Sequence, residues 1–244
     1  MISDVAPNAG QIFFGSVLAP WPNRLEDGWF EHDGRRFEYP VDAQGNANHG
    51  LIGYKPLEVR RHEESEIVFG YRFGDADYPY EVDLEIKYSI GDSFSFVATA
   101  RNLGDVKAPF AIGFHPYYRL KGKSHFLASV NHHVITDKRL IPKSVQRIEP
   151  LNLRFPSELM FDDGYIGNWE VQFETEEFAL FITQKNMQNL MLYTPPVSPF
   201  ADGTPALAIE PMSGPTNAFK TELDKHLIEP GQSRVFSYEV KSLS

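Results

Sequence analysis

The chain has 244 residues, enough to bury a large core, and 42% hydrophobic with 23% charged residues matches a globular protein rather than a disordered or fibrous one. Its 33 acidic and 23 basic residues give a net charge of −10, a poor match for a nucleic-acid backbone or an anionic membrane. The absence of cysteine excludes disulfides, thiol nucleophiles and cysteine-ligated zinc, and makes a reducing cytoplasm the expected compartment. Met1-Ile2-Ser3-Asp4-Val5 lacks a basic start before an apolar run, and nowhere do about 18 consecutive apolar residues occur. The expectation is one domain over residues 1–244, with neither a membrane nor a nucleic acid as partner.

Taken in chain order, residues 30–39 place Asp33-Gly34 between apolar and aromatic residues, a hairpin signal. In residues 80–88, Tyr80, Val82, Leu84, Ile86 and Tyr88 alternate with polar residues, the period of a half-buried strand. After Gly91-Asp92 the alternation resumes with Phe94, Phe96, Ala98 and Ala100, which predicts a second hairpin. Further strands are predicted over residues 178–183 and 235–240. Helical periodicity is nearly absent, and 18 glycines and 18 prolines are spread along the chain. Many short strands joined by turns predict an all-β fold, a large and mostly antiparallel β-sandwich. Segments rich in His, Asn and Pro at residues 20–24, 46–50, 113–118, 161–164 and 210–215 read as connecting loops, where rigid sheets commonly carry functional groups.

Eight histidines raise the question of a metal, with His115, His125, His132 and His133 close in sequence. No HxxxH or HExxH spacing occurs, and adjacent His132 and His133 on a strand point to opposite faces, so no metal is expected. His32 and His62 stand among charged residues and read as solvent exposed. The serine-hydrolase elbow, the P-loop and the dinucleotide-binding glycine signature are all missing, so no nucleotide cofactor is expected.

Two residues stand out. His115, in Gly113-Phe114-His115-Pro116-Tyr117-Tyr118, is set among aromatic rings that suit the apolar faces of a sugar, and imidazole exchanges a proton near neutral pH. Glu210 ends the apolar run Ala206-Leu207-Ala208-Ile209, where burial would raise its pKa toward the work of a base. Read singly, either residue fits a structural role as well.

The segments Ala19-Pro20-Trp21-Pro22-Asn23-Arg24, Asn48-His49-Gly50-Leu51, Gly113-Phe114-His115-Pro116-Tyr117 and Ala208-Ile209-Glu210-Pro211 together, in this order, resemble the aldose 1-epimerase (galactose mutarotase) family. The resemblance implies a large β-sandwich, a monosaccharide substrate and no cofactor. It implies Glu210 as general base on the C1 hydroxyl and His115 as general acid on the ring oxygen, placed on opposite sides of the sugar. Arg24 and His49 match residues that hold the hydroxyls and ring oxygen. Asp162 matches a substrate-binding aspartate, with Asp163 one position away as the alternative. Members of the family usually carry strands before the Asn-Arg segment, whereas Arg24 stands near Met1. The expectation is therefore a fold short of N-terminal strands, whose exposed edge suits a monomer or weak homodimer. A hexose-phosphate 1-epimerase is the nearest alternative, with Arg119 and Lys121 as phosphate ligands. A sugar-binding protein without turnover is the other.

Overall fold

Alternation along residues 80–88 is realised as a strand, Val82–Ile90, whose Val82, Leu84 and Ile86 are fully buried in the computed structural model, which describes residues 5–6, 9–155 and 160–243. The strand pairs in antiparallel register with Ser93–Asn102, from Val82 opposite Asn102 to Ile90 opposite Phe94, as the Gly91-Asp92 turn predicts. Residues 30–39 likewise form a hairpin, Trp29–His32 with Arg35–Glu38, and the predicted strands near residues 178–183 and 235–240 become Ala179–Lys185 and Ser233–Ser242.

These elements join two large sheets. One has nine strands in the order Leu151–Phe155, Ser124–Ala128, Glu170–Glu174, Ala179–Lys185, Ser233–Ser242, Ser93–Asn102, Val82–Ile90, Glu66–Arg72 and Glu58–His62. The other runs from Val17–Leu18 through Gly113–Phe114, Ala206–Met212, Asn189–Tyr193, Asp162–Ile166 and His132–Thr136 to Pro142–Arg147, with Tyr117–Arg119 also paired to Ala206–Met212. Every pairing among these strands is antiparallel. Aromatic contacts join the sheets, Phe114 to Tyr238 at 5.6 Å and Tyr118 to Phe173 at 6.0 Å between ring centroids, so the fold is the β-sandwich the alternation predicts. Helix is confined, among the described residues, to the four-residue Ala218–Thr221 and short 3₁₀ turns. No helix of the described residues is long and apolar enough to cross a membrane.

The structure departs from expectation in one respect. Four of the segments read as loops contribute to strands: residues 46–50 to Asn46–Asn48, which pairs with Arg24–Glu26, residues 113–118 to Gly113–Phe114 and Tyr117–Arg119, residues 161–164 to Asp162–Ile166, and residues 210–215 to Ala206–Met212. Glu210 is thus not at a loop but inside a strand in which all seven residues are buried. The reason is that the apolar run continues past the carboxylate through Met212, and Glu210 and Pro211 keep their register opposite Met191 and Leu190 of Asn189–Tyr193.

Candidate active site

The register of two neighbouring strands brings the first pair together. Gly113 lies opposite Met212 and Tyr117 opposite Ala208, so His115 falls opposite Glu210 and both side chains leave the sheet on the same face. Ladder bonding is interrupted between them. Pro116 and Pro211, one on each strand, have no N–H to give, and the His115 backbone bonds instead to the other side, donating to the Ser16 carbonyl at 3.1 Å and accepting from the Gly15 N–H at 3.0 Å. His115 Nε2 lies 3.4 Å from Glu210 Oε1, and both side chains are almost wholly buried. Neither His115 Nδ1 nor Glu210 Oε2 has a hydrogen-bond partner among the described residues. Burial pushes the Glu210 carboxyl well above its ordinary value and the His115 imidazole down to about 3.

This geometry corrects one expectation. The two groups are side by side, not on opposite sides of a sugar. Side-by-side placement suits the chemistry, because the C1 hydroxyl oxygen and the ring oxygen are bonded to the same carbon.

A second layer is built on facing left-handed residues. Asn23 (φ +56°) and His49 (φ +61°) exchange contacts: the His49 N–H donates to the Asn23 carbonyl at 2.9 Å, and the Asn23 N–H donates to His49 Nδ1 at 3.2 Å. With Nδ1 accepting, His49 carries its proton on Nε2. Burial, reinforced by nearby His115 and Arg24, keeps its pKa well below the ordinary value and the ring neutral. The Asn23 side-chain oxygen accepts from Arg24 N at 2.8 Å and Arg24 Nη1 at 3.2 Å, while Arg24 Nη2 pairs with Asp162 Oδ2 at 3.3 Å. Burial raises the Asp162 carboxyl, with the Arg24 guanidinium opposing. Gly50 lets this layer approach the sheet, since a Cβ there would stand 2.3 Å from the Ala19 carbonyl oxygen and its φ is +69°.

All five residues singled out in the sequence, Arg24, His49, His115, Asp162 and Glu210, line one cleft of about 330 Å³. Asp163 alternates to the other face of its strand and meets His133 at 2.9 Å, so Asp162, not Asp163, faces the cleft. A slightly larger cavity of about 350 Å³ also borders His115, but its walls are mostly aromatic, Tyr88, Phe94, Tyr118 and Tyr238 among them, and of the five it touches only His115. Tyr117 and Tyr118, expected to face a sugar, belong to that second cavity. The aromatic walls of the polar cleft are Phe13 and Tyr193, which sequence patterning did not identify.

The remaining histidines disperse. His125 meets Asn152 on the nine-stranded sheet, His132 meets Asn131, and His133 stacks on Tyr165. His62 is exposed as expected, but His32 is not: it is buried and contacts the Lys107 carbonyl at 3.1 Å, because it lies on the inward face of its hairpin. Arg119 and Lys121, the phosphate candidates, do not line the cleft. Arg119 pairs with Asp202 at 2.6 Å and covers the Phe200 ring, and Lys121 pairs with Glu177.

Sequence comparison gives this architecture a family. Residues 3–241 match the model of the family described as aldose 1-epimerase, and the chain belongs to that family. It is 25% identical over 235 residues to the uncharacterized protein YihR of Escherichia coli, covering 89% of this chain and 75% of that protein. It is 26% identical over 169 residues to galactose mutarotase of Rattus norvegicus, covering 61% of this chain and 47% of the mutarotase, so the match spans about half the length of that relative. The fold is shared with a GalM/aldose epimerase homologue from C. elegans (TM-score 0.81, 17% identity, 95% of this chain and 82% of that one). It is shared also with a putative aldose 1-epimerase from Escherichia coli K12 (TM-score 0.76, 18% identity, 93% and 82%).

Proposed function

We propose that the protein interconverts the α and β anomers of a free aldohexose such as glucose or galactose, with Glu210 and His115 exchanging the two protons that open and close the ring. The observation that carries this reading is the buried, side-by-side pair, Nε2 to Oε1 at 3.4 Å, at the wall of a polar cleft.

The pair holds one proton in total. With the pair as carboxylate and imidazolium, Glu210 takes the proton from the C1 hydroxyl while His115 gives its proton to the ring oxygen. The C1–ring oxygen bond breaks, an aldehyde forms at C1, and the pair is left as neutral acid and neutral imidazole. That is the form burial favours, so ring opening relieves the cost of two buried charges. Rotation about C1–C2 offers the other carbonyl face, and the same transfers reversed close the ring to the other anomer. Only protons move, and the cycle balances without a redox partner. Each positioned transfer contributes on the order of 10²- to 10⁴-fold. His49 Nε2–H and the Arg24 guanidinium supply hydrogen bonds to the sugar oxygens, and Asp162 accepts from a hydroxyl. A cytoplasmic setting and a monomer or weak homodimer complete the proposal, the first resting on the cysteine-free sequence.

Polarimetry on freshly dissolved α-D-glucose and α-D-galactose tests it directly. The expected result is faster decay of optical rotation with protein than without; unchanged decay for every aldose offered would overturn the proposal.

A further inference from the structure

Phe13 is the most unusual residue at the cleft. It follows the 3₁₀ turn Ala9–Ile12 and adopts φ +58°, a left-handed conformation that is an outlier for a bulky non-glycine residue. Its ring joins neither the main hydrophobic cluster nor the smaller one that takes in its neighbours Ile12 and Phe14. Instead it stands with its edge to His49 at 4.5 Å, nearly parallel to His115 at 6.3 Å and 18°, and 4.4 Å from Tyr54. The segment carrying it is tied down on both sides. Tyr117 Oη donates to the Ile12 carbonyl at 3.0 Å, Gly15 and Ser16 exchange backbone bonds with His115, and Ser16 Oγ donates to the Gly53 carbonyl at 3.0 Å. A strained backbone thus delivers one aromatic ring to two imidazoles.

We infer that Phe13 is a positioning residue for the proton-transfer site: its ring fixes the His49 and His115 imidazoles relative to one another and keeps water from His115 on the side of the polar cleft. The inference rests on the proposed reading of His115 as proton donor. A ring that only filled core volume would pack into one of the clusters, and the strain would lack a local return. The groups facing His115 are Glu210 from the adjacent strand, His49 from the Asn23 layer, Tyr117 on its own segment and Tyr193 from Asn189–Tyr193, with Arg24 and Asp162 beyond them.

The test compares wild type with Phe13→Gly, Phe13→Asn and Phe13→Tyr. Glycine and asparagine both accept left-handed backbone, so two ring-free variants are available should one fold poorly. Two measurements are made on each: NMR titration of the nitrogen-15-labelled imidazoles, and kcat and KM by polarimetry on galactose. Wild type and Phe13→Tyr should keep His115 neutral through the mildly acidic range. The ring-free variants should titrate His115 toward the ordinary histidine value of about 6.5 and lose roughly tenfold or more in kcat. Unchanged His115 titration in the ring-free variants, whether activity stays or only KM rises, would overturn the inference. A shifted titration in a protein that turns over no aldose would uphold the positioning role and sink the proposed function instead.

Discussion

The His115 imidazole and the Glu210 carboxyl meet at 3.4 Å because they are cross-strand neighbours, set opposite one another by the pairing of Gly113 with Met212 and Tyr117 with Ala208. Residues that share one proton act as a unit, and losses at such residues do not add. Glu210→Gln should lower the mutarotation rate on the order of 10²- to 10⁴-fold. His115→Asn should do the same, and the double variant should be little slower than either single one. Polarimetric rates of the three proteins settle the point: a double variant slower by the product of the single losses would mean that the two act independently.

The same burial sets the pH behaviour. His115 is held down to about 3 and Glu210 well above its usual 4.5, so the one-proton form of the pair persists between these limits. Activity should therefore be retained well below the ordinary histidine range, failing only as the pair takes up a second proton. A rate profile with an acid limb near 6.5, the free histidine value, would contradict this.

Stability should carry the complementary signature. A carboxyl whose folded pKa is raised stabilises the fold fully below its unfolded pKa of 4.5, and loses that contribution as pH rises toward the folded value, at about 1.4 kcal/mol per pH unit. Glu210→Gln removes the titration. The variant should melt higher than wild type at pH 7, and the difference should shrink to nothing near pH 4.5. Parallel melting curves at all pH values would show that Glu210 is not the titrating group.

Asn23 holds both His49 and Arg24, one through its backbone N–H and one through its side-chain oxygen. Asn23→Gly keeps the left-handed backbone and removes only the side-chain bonds to Arg24, one of them to a charged group and worth about 1.5–3 kcal/mol. KM should rise on the order of tenfold or more with the melting temperature little changed. Steady-state kinetics beside a thermal melt makes the check.

If the substrate is a free sugar, Arg119 is dispensable. Its guanidinium is occupied by Asp202, Thr204 and the Phe200 ring, away from the cleft. Arg119→Ala should leave mutarotation of galactose within about twofold, as expected of a residue remote from the site. Wild-type protein that prefers glucose 6-phosphate, and loses that preference in Arg119→Ala, would establish the phosphate reading instead.

Much of this site was legible before any coordinates. Alternation over residues 80–100 located a central hairpin because one face of each strand is buried and the other is not, a pattern only period two can write. His115, Glu210, Arg24 and His49 announced themselves through the motifs around them. What stayed hidden was relational. That Asp162 rather than Asp163 faces the cleft follows from strand phase, and the segment Phe161-Asp162-Asp163-Gly164 reads equally well as a turn. The adjacency of His115 and Glu210, 95 positions apart by residue number, depends on sheet register, which short strands interrupted by proline do not reveal. Phe13 had no signal at all, since a left-handed phenylalanine is a product of the contacts around it and not of any local preference. His32 looked exposed because its neighbours are charged, while its hairpin turns it inward.

The phase of the strands at His115 also bears on how a chain of this kind tolerates changes in length. Removing or adding one residue between Gly113 and Tyr117 would carry His115 to the far face of its sheet, away from Glu210, even with every side chain retained. At residues 63–65, an exposed turn between Glu58–His62 and Glu66–Arg72, the same insertion would shift nothing near the cleft. Insertions and deletions should thus accumulate at such turns and be purged from the window around His115. What descent must preserve there is a count of peptide bonds as much as an imidazole.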